Sequence, residues 1–328
     1  MNPTLHPLFK DIFTITPATF EKVTLSVFKY QYQNVPIYKR YCDLLNKTPD
    51  DIKEVKDIPF LPISLFKQHR VLDGDKYDIA FTSSGTSGNQ TSTHYVKDQL
   101  VYEKSFITCF EMFYGPIKDA SFFALLPSYL EREGSSLIYM VDYLIKNGQP
   151  SSGFYLYNTE ELIQHITAAL NKKEKVFLFG VSFALLDLAE QHQFDFSDVT
   201  IIETGGMKGR KKEMIRSDLH QILKEQLSTT NVHSEYGMTE LLSQAYSIGN
   251  ERFECPPWMK VLIRSHNDPF SFQEVEKTGG INVIDLANLH SCSFIETQDL
   301  GKKQADGTFE VLGRFDLSDV RGCNLLIG

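Results

Sequence analysis

Residues 175–205 read KVFLFGVSFALLDLAEQHQFDFSDVTIIETG. Two short apolar runs, KVFLFG and TIIETG, each close on a glycine, and a longer segment with helical spacing separates them. Strand, helix and strand in that order form a βαβ unit, because parallel neighbours need a crossover of a dozen or more residues. The pattern extends in both directions. Upstream, YDIAF (77–81), SFFALLP (121–127) and GFYLY (153–157) are further strand candidates. Downstream, GRKKEMIRSDLHQILKEQL (209–227) puts Ile215, Leu219 and Ile222 on one helical face, with Lys, Arg and Glu around the rest. After about Cys255 the helical segments fade. MKVLIRS, GGINVIDL, SFIETQDLG and TFEVLGR then read as consecutive strands. The expected fold is α/β, with mostly parallel strands flanked by helices and a smaller C-terminal β-rich lobe.

The N-terminal third is different. Pro17 suits the first turn of a helix running to about Gln31, and VPIYKRYCDLLN (35–46) forms another. In DIPFLPISLFK (57–67), Pro59 and Pro62 predict an extended connector. The expected organisation is a helical segment over 1–75 packed on the core, an α/β core over 76–254, and a β-rich lobe with a cysteine-bearing tail over 255–328. Together these would form one compact catalytic unit.

Composition excludes several function classes. The 328 residues are 42% hydrophobic and 23% charged, an ordinary globular balance. A net charge of −9, with acidic residues spread through the chain, lacks the basic stripe that nucleic acid demands. No apolar run approaches the roughly 20 residues needed to span a bilayer. The N-terminus MNPTLHPLFKDIF has no basic segment leading an apolar one, so no signal peptide is expected. The five cysteines, Cys42, Cys109, Cys255, Cys292 and Cys323, are odd in number, widely spaced and without a CxxC pair. A disulfide framework or zinc site is not expected, and a reducing cytoplasm fits.

The candidate strand YDIAF runs into FTSSGTSGNQTSTH (81–94). Gly85 and Gly88 let the backbone turn sharply and approach a ligand. Backbone N–H groups in such a turn form an anion nest, to which Ser83, Ser84, Thr86 and Ser87 add hydroxyls. A solvated turn is the other reading of so polar a loop. No Walker A sequence or G-x-S-x-G elbow is present in the chain. Three further stretches follow in order: ETGGMKGR (203–210), SEYGMTE (234–240), and the pair ETQDLG (296–301) and GRFDLSD (313–319).

Together these four stretches resemble the adenylate-forming superfamily of acyl-CoA synthetases, luciferases and peptide-synthetase adenylation domains. TSSGTSG matches its phosphate loop and EYGMTE its Tyr-Gly-x-Thr-Glu motif. TQDLG matches the ribose-binding aspartate motif and GRFD the hinge. Within the superfamily, IPFLPISLFK and the terminal RGCNLLIG are similar to the LuxE-like acyl-protein synthetases of bacterial bioluminescence operons.

The resemblance implies ATP and Mg²⁺ as cofactors, a fatty acid as substrate, and an acyl reductase or other acceptor protein as partner. It implies that Ser83, Ser84, Gly85, Thr86, Ser87 and Gly88 cradle the β- and γ-phosphates. Thr239 would contact the α-phosphate and Glu240 would help hold Mg²⁺. Tyr236 and Gly237 belong to the nucleotide motif, Tyr236 packing on adenine, with Gly205 and Gly206 giving the base close backbone contact. Asp299 would bind ribose hydroxyls, and Arg314 the ribose or α-phosphate. Cys323, in a tail able to swing, would attack the acyl-adenylate, with Arg321 as the cation that lowers its pKa. A buried cysteine in a final strand is the alternative for that residue.

The sequence also departs from the superfamily. Asn89 and Gln90 stand where a phosphate-loop lysine is usual, and the chain stops fifteen residues after Gly313, so no lid domain with a catalytic lysine is expected. His94 reads as a strand residue, His233 as a core histidine and Trp258 as a packed anchor. Two rival functions remain: a phenylacetate-CoA-ligase-like acyl- or aryl-CoA ligase, and a degenerate nucleotide-binding fold without turnover.

Overall fold

The computed structural model describes residues 6–83, 91–127, 134–191, 194–205 and 214–315. Three helices come first: α1 (Pro7–Phe13), α2 (Phe20–Asn34) and α3 (Pro36–Leu44). Pro7 and Pro36 occupy first turns, where the missing N–H has no helical partner to lose. Phe20, Val23, Thr24, Val27, Phe28 and Gln31 recur at three- and four-residue spacing and form the buried face of α2. Gln31 donates its amide to the carbonyls of Asn288 (2.9 Å) and Leu289 (3.0 Å) and accepts from the Ser293 N–H (3.0 Å). A buried amide with all these partners ties the first helices to the last third of the chain.

The proline-marked connector is extended around Pro59 and Pro62, as expected, and gains a partner there, but its end, expected to be extended too, turns helical from Leu65. Strand β1 (Leu61–Pro62) pairs parallel with residues 295–296 before the short helix α4 (Leu65–Gln68). Next come β2 (Ile79–Thr82) and β3 (Thr93–Val96), an antiparallel hairpin separate from the main sheet. YDIAF therefore forms a strand, but outside the parallel run its neighbours suggest. Thr82 pairs with Thr93, and so short a connection permits only antiparallel pairing.

Helix α5 (Gln99–Tyr114) leads into β4 (Ala120–Leu125). The chain then alternates through α6 (Ser136–Asn147), β5 (Gly153–Tyr155), α7 (Thr159–Asn171), β6 (Lys175–Val181), α8 (Ser182–Gln191), β7 (Val199–Thr204), α9 (Arg216–Gln226) and β8 (Val232–Tyr236). These strands lie parallel in the order β5–β4–β6–β7–β8. All six residues of β4 and six of seven in β6 are buried, as strands covered by helices on both faces must be. In α9, Leu219 and Leu223 are buried and Ile222 is partly so. Ile215 precedes the helix in extended conformation and is 66% exposed, so it leaves the expected face.

Beyond β8 the sheet turns antiparallel. Strands β9 (Ala245–Ser247), β10 (Phe253–Glu254), β11 (Met259–Arg264), β12 (Thr278–Asp285), β13 (Phe294–Lys303) and β14 (Phe309–Arg314) continue it in the order β8–β9–β10–β14–β13–β12–β11. Phe253 pairs with both Ser247 and Phe309, so hydrogen bonding runs unbroken past Cys255. Trp258 is a packed anchor, its indole N–H reaching the hydroxyls of Ser243 (2.9 Å) and Ser105 (3.2 Å). No helix among the described residues is long and apolar enough to cross a membrane.

Candidate active site

In open α/β sheets, ligands sit beyond the carboxyl ends of the parallel strands. Here β7 ends at Thr204 and Gly205, whose φ of 75° favours glycine, and β8 ends at Tyr236. Tyr236 is buried, with Phe253 and Phe309 edge-on to its ring at centroid distances of 5.8 and 5.4 Å. Its hydroxyl donates to Asp299 Oδ2 at 2.9 Å. Burial, then the Asp299 charge, pushes the phenol well above its ordinary value, so it remains a donor. Asp299 lies opposite Arg314 in the β13–β14 register, and Arg314 Nε donates to Asp299 Oδ1 at 3.3 Å. Each carboxylate oxygen of Asp299 thus has a protein partner, while the Arg314 side chain stays 81% exposed. Gly301, two residues on and just past a register shift in the β13–β14 pairing, permits the close strand approach there. A Cβ there would lie 2.5 Å from the Glu310 carbonyl oxygen and 2.6 Å from Ile281 Cδ1. Gly301→Ala is expected to cost about 1–3 kcal/mol by overpacking, read as a lower midpoint in urea unfolding.

A second cluster forms where the β2–β3 hairpin meets the turn after β8. Glu240 is buried, and its Oε1 accepts from Ser92 Oγ at 2.5 Å. Burial raises its carboxyl pKa. The Ser92 hydrogen bond opposes that rise, as do, more weakly, the Arg314 and Lys67 charges. Ser92 N–H donates to Ser83 Oγ (2.9 Å) and Ser83 N–H to the Ser92 carbonyl (3.0 Å), joining the two chain segments that flank residues 84–90. His94, 1% exposed, links the Thr239 carbonyl and the Ser291 hydroxyl, both at 2.9 Å. The turn is held from its other side too. Asn288 Nδ2 donates to the Glu240 carbonyl (2.7 Å), and buried Asp285 accepts the N–H groups of Leu242 (2.8 Å) and Ser243 (2.9 Å).

The structure therefore brings several expected residues to one end of the sheet. Tyr236, Asp299 and Arg314 form one contact cluster. Glu240 reaches Ser83 through Ser92, and Arg314 acts electrostatically on both carboxylates. Thr239 and Gly237 lie in the connecting turn, where a Cβ on Gly237 would meet Glu235 Oε1 at 2.3 Å. Gly205 follows Thr204, whose hydroxyl donates to Glu235. Ser84, Gly85, Thr86, Ser87, Gly88, Gly206 and Cys323 lie outside the described residues.

Sequence reading missed Ser92, the hydroxyl on Glu240, and missed what His94 holds. The alternation of Ser92, His94 and Val96 was the available signal, since residues two apart share a strand face. It also missed Glu235, whose carboxyl burial pushes up to about 7 against the Thr204 hydrogen bond. His233 is a partly buried strand residue stacked on Tyr114 at 5.7 Å. Cys42, Cys109 and Cys292 are buried and, like partly exposed Cys255, carry free thiols. Among the described residues, no group of three or more His, Cys, Asp or Glu side chains could hold a metal ion. A divalent cation at Glu240 would share that lone carboxylate with phosphate oxygens and water, an arrangement that suits Mg²⁺.

Comparison with known proteins bears on the fold and the family likeness. Residues 16–109 match the family described as acyl-protein synthetase, LuxE. The long-chain-fatty-acid–luciferin-component ligase of Aliivibrio fischeri is 24% identical over 93% of this chain and 86% of its own length. Among solved structures, 2-hydroxyisobutyryl-CoA ligase in complex with 2-HIB-AMP and CoA superposes with a TM-score of 0.70 at 12% identity. That match covers 97% of this chain and 80% of the other. ATP-bound MatB from Rhodopseudomonas palustris superposes with a TM-score of 0.56 at 15% identity, over 74% of this chain and 49% of the other. The chain thus has the fold of the adenylate-forming ligases and, in sequence, is similar to the LuxE acyl-protein synthetases.

Proposed function

We propose that this protein is an ATP-dependent acyl-protein synthetase that activates a long-chain fatty acid. The observation that carries the reading is the Asp299–Arg314 pair held by the Tyr236 hydroxyl at the end of β8, with Glu240, clamped through Ser92 to the base of the hairpin, in the turn that follows the same strand and within electrostatic reach of Arg314. A carboxylate is a poor electrophile, and its conversion to a mixed anhydride builds negative charge around the α-phosphate. Arg314, largely exposed and anchored on Asp299, is a cation positioned to meet that charge. Asp299, oriented by Tyr236, accepts from ribose hydroxyls. The hydroxyls and amides of residues 83–88 take the β- and γ-phosphates. Glu240 would hold Mg²⁺, which would neutralise charge on the phosphate oxygens.

In the first step a carboxylate oxygen of the acid bonds to the α-phosphorus, and the bond to pyrophosphate breaks. In the second, the Cys323 thiol attacks the acyl carbonyl carbon. A C–S bond forms, the C–O bond to AMP breaks and the thiol proton passes to solvent. The resulting thioester then hands its acyl group to a partner such as an acyl reductase.

Exchange of labelled pyrophosphate into ATP tests the activation step. A fatty acid should support exchange in the presence of Mg²⁺, and no exchange with any carboxylic acid would leave a nucleotide-binding fold without turnover. Rapid release of acyl-CoA on adding free CoA would instead favour the CoA-ligase reading.

A further inference from the structure

We infer that Ser92 and His94 are positioning residues for acid activation, acting as a two-point clamp that fixes the phosphate hairpin against the Thr239–Glu240 turn. The inference rests on the reading just given and adds two residues that the family motifs do not contain.

The hairpin is not part of the main sheet. Among the described residues, strands β2 and β3 form a ladder with each other alone, and the Thr82 N–H reaches the Gly134 carbonyl (2.8 Å), so no strand ladder fixes their distance from the turn after β8. Ser92, at the entry to β3, and His94 within it stand two residues apart and reach consecutive residues of that turn. Ser92 Oγ takes the side chain of Glu240, and His94 takes the backbone of Thr239. Both are buried, so neither is an incidental surface contact.

The chemistry of His94 fixes its tautomer. A carbonyl only accepts, so Nδ1 carries the proton toward Thr239, and Nε2 accepts from the Ser291 hydroxyl. Burial lowers the ring pKa to about 4, which keeps this neutral form at physiological pH. Phe66 meets the ring edge-on at 5.7 Å, so the imidazole is held by packing as well as by both nitrogens. The groups facing His94 are therefore a carbonyl, a hydroxyl and an apolar ring.

A one-ångström displacement of the hairpin from this turn would separate phosphate donors from the metal carboxylate. Misplacement of that size costs about 10²-fold in well-positioned active sites.

The test measures ATP affinity by calorimetry in the presence of Mg²⁺, alongside pyrophosphate exchange, in His94→Leu, His94→Gln and Ser92→Ala. His94→Leu should weaken ATP binding and exchange by about tenfold or more, with the KM for the fatty acid changed less than twofold. His94→Gln, whose amide both donates and accepts, should recover most of the loss. Ser92→Ala probes the same clamp should the leucine variant fail to fold, and it too should weaken ATP binding selectively. Wild-type affinity in folded His94→Leu and Ser92→Ala would overturn the clamp and leave the activation reading intact. So would equal losses for ATP and acid that glutamine does not relieve. Failure of the wild type to bind ATP would overturn both.

Discussion

Glu240→Ala is expected to reduce fatty-acid-dependent pyrophosphate exchange by roughly 10²–10³-fold, the scale seen when one preorganised electrostatic group is removed from an active site. Burial makes Glu240 costly to keep ionised, and the surroundings compensate only in part, through the Ser92 hydroxyl and more distant cations. A buried carboxylate with one direct side-chain donor among the described residues needs a cation for full compensation. Mg-nucleotide supplies it, so the loss should appear as reduced rate and a raised metal requirement together. Glu240→Gln separates charge from shape. Its amide oxygen still accepts from Ser92, yet it cannot neutralise a divalent ion. It should fall nearly as far as alanine in an exchange assay titrated with Mg²⁺. Wild-type exchange in the glutamine variant would remove Glu240 from the metal site.

The second large effect concerns the thioester. Incubation with labelled fatty acid and Mg-ATP should label the wild-type protein, and neutral hydroxylamine should release the label. Cys323→Ser should abolish labelling while pyrophosphate exchange continues within about twofold, because acyl-adenylate formation precedes thiol attack. The other cysteines are poor rivals. Burial pushes the Cys42 and Cys255 thiols up to about 12, and it raises Cys109 and Cys292 as well. Thiolates are the nucleophiles, and these four thiols hold their protons at neutral pH. Label that persists in Cys323→Ser would move the acyl group to another nucleophile. Exchange lost with the label would mean that the tail also takes part in activation.

Much of the architecture was legible because its signals are local. Each run of KVFLFG, TIIETG, MKVLIRS and GGINVIDL became a strand, since apolar period and bounding glycines act over a few residues. What escaped was the partner of each strand. YDIAF alternates like an ordinary strand, and only its return segment 93–96 shows that it closes a hairpin. Ile215 matched a helical face that begins one residue later. At the site, Glu240, Asp299 and Arg314 could be chosen from ordered motifs. For Ser92 and His94 the local alternation told only that they share a side of the chain; their partners lie 148 and 145 positions away, and that alternation does not name them.

The pairing of residues 61–62 with 295–296 has a consequence for biosynthesis. As the chain leaves the ribosome, its first sixty residues carry buried-type side chains whose docking strand does not yet exist. Contacts this distant in sequence slow folding and leave apolar surface open meanwhile. Nascent chains stopped before β13 should therefore need chaperone protection, and the protein becomes protease-resistant only when that strand has been made.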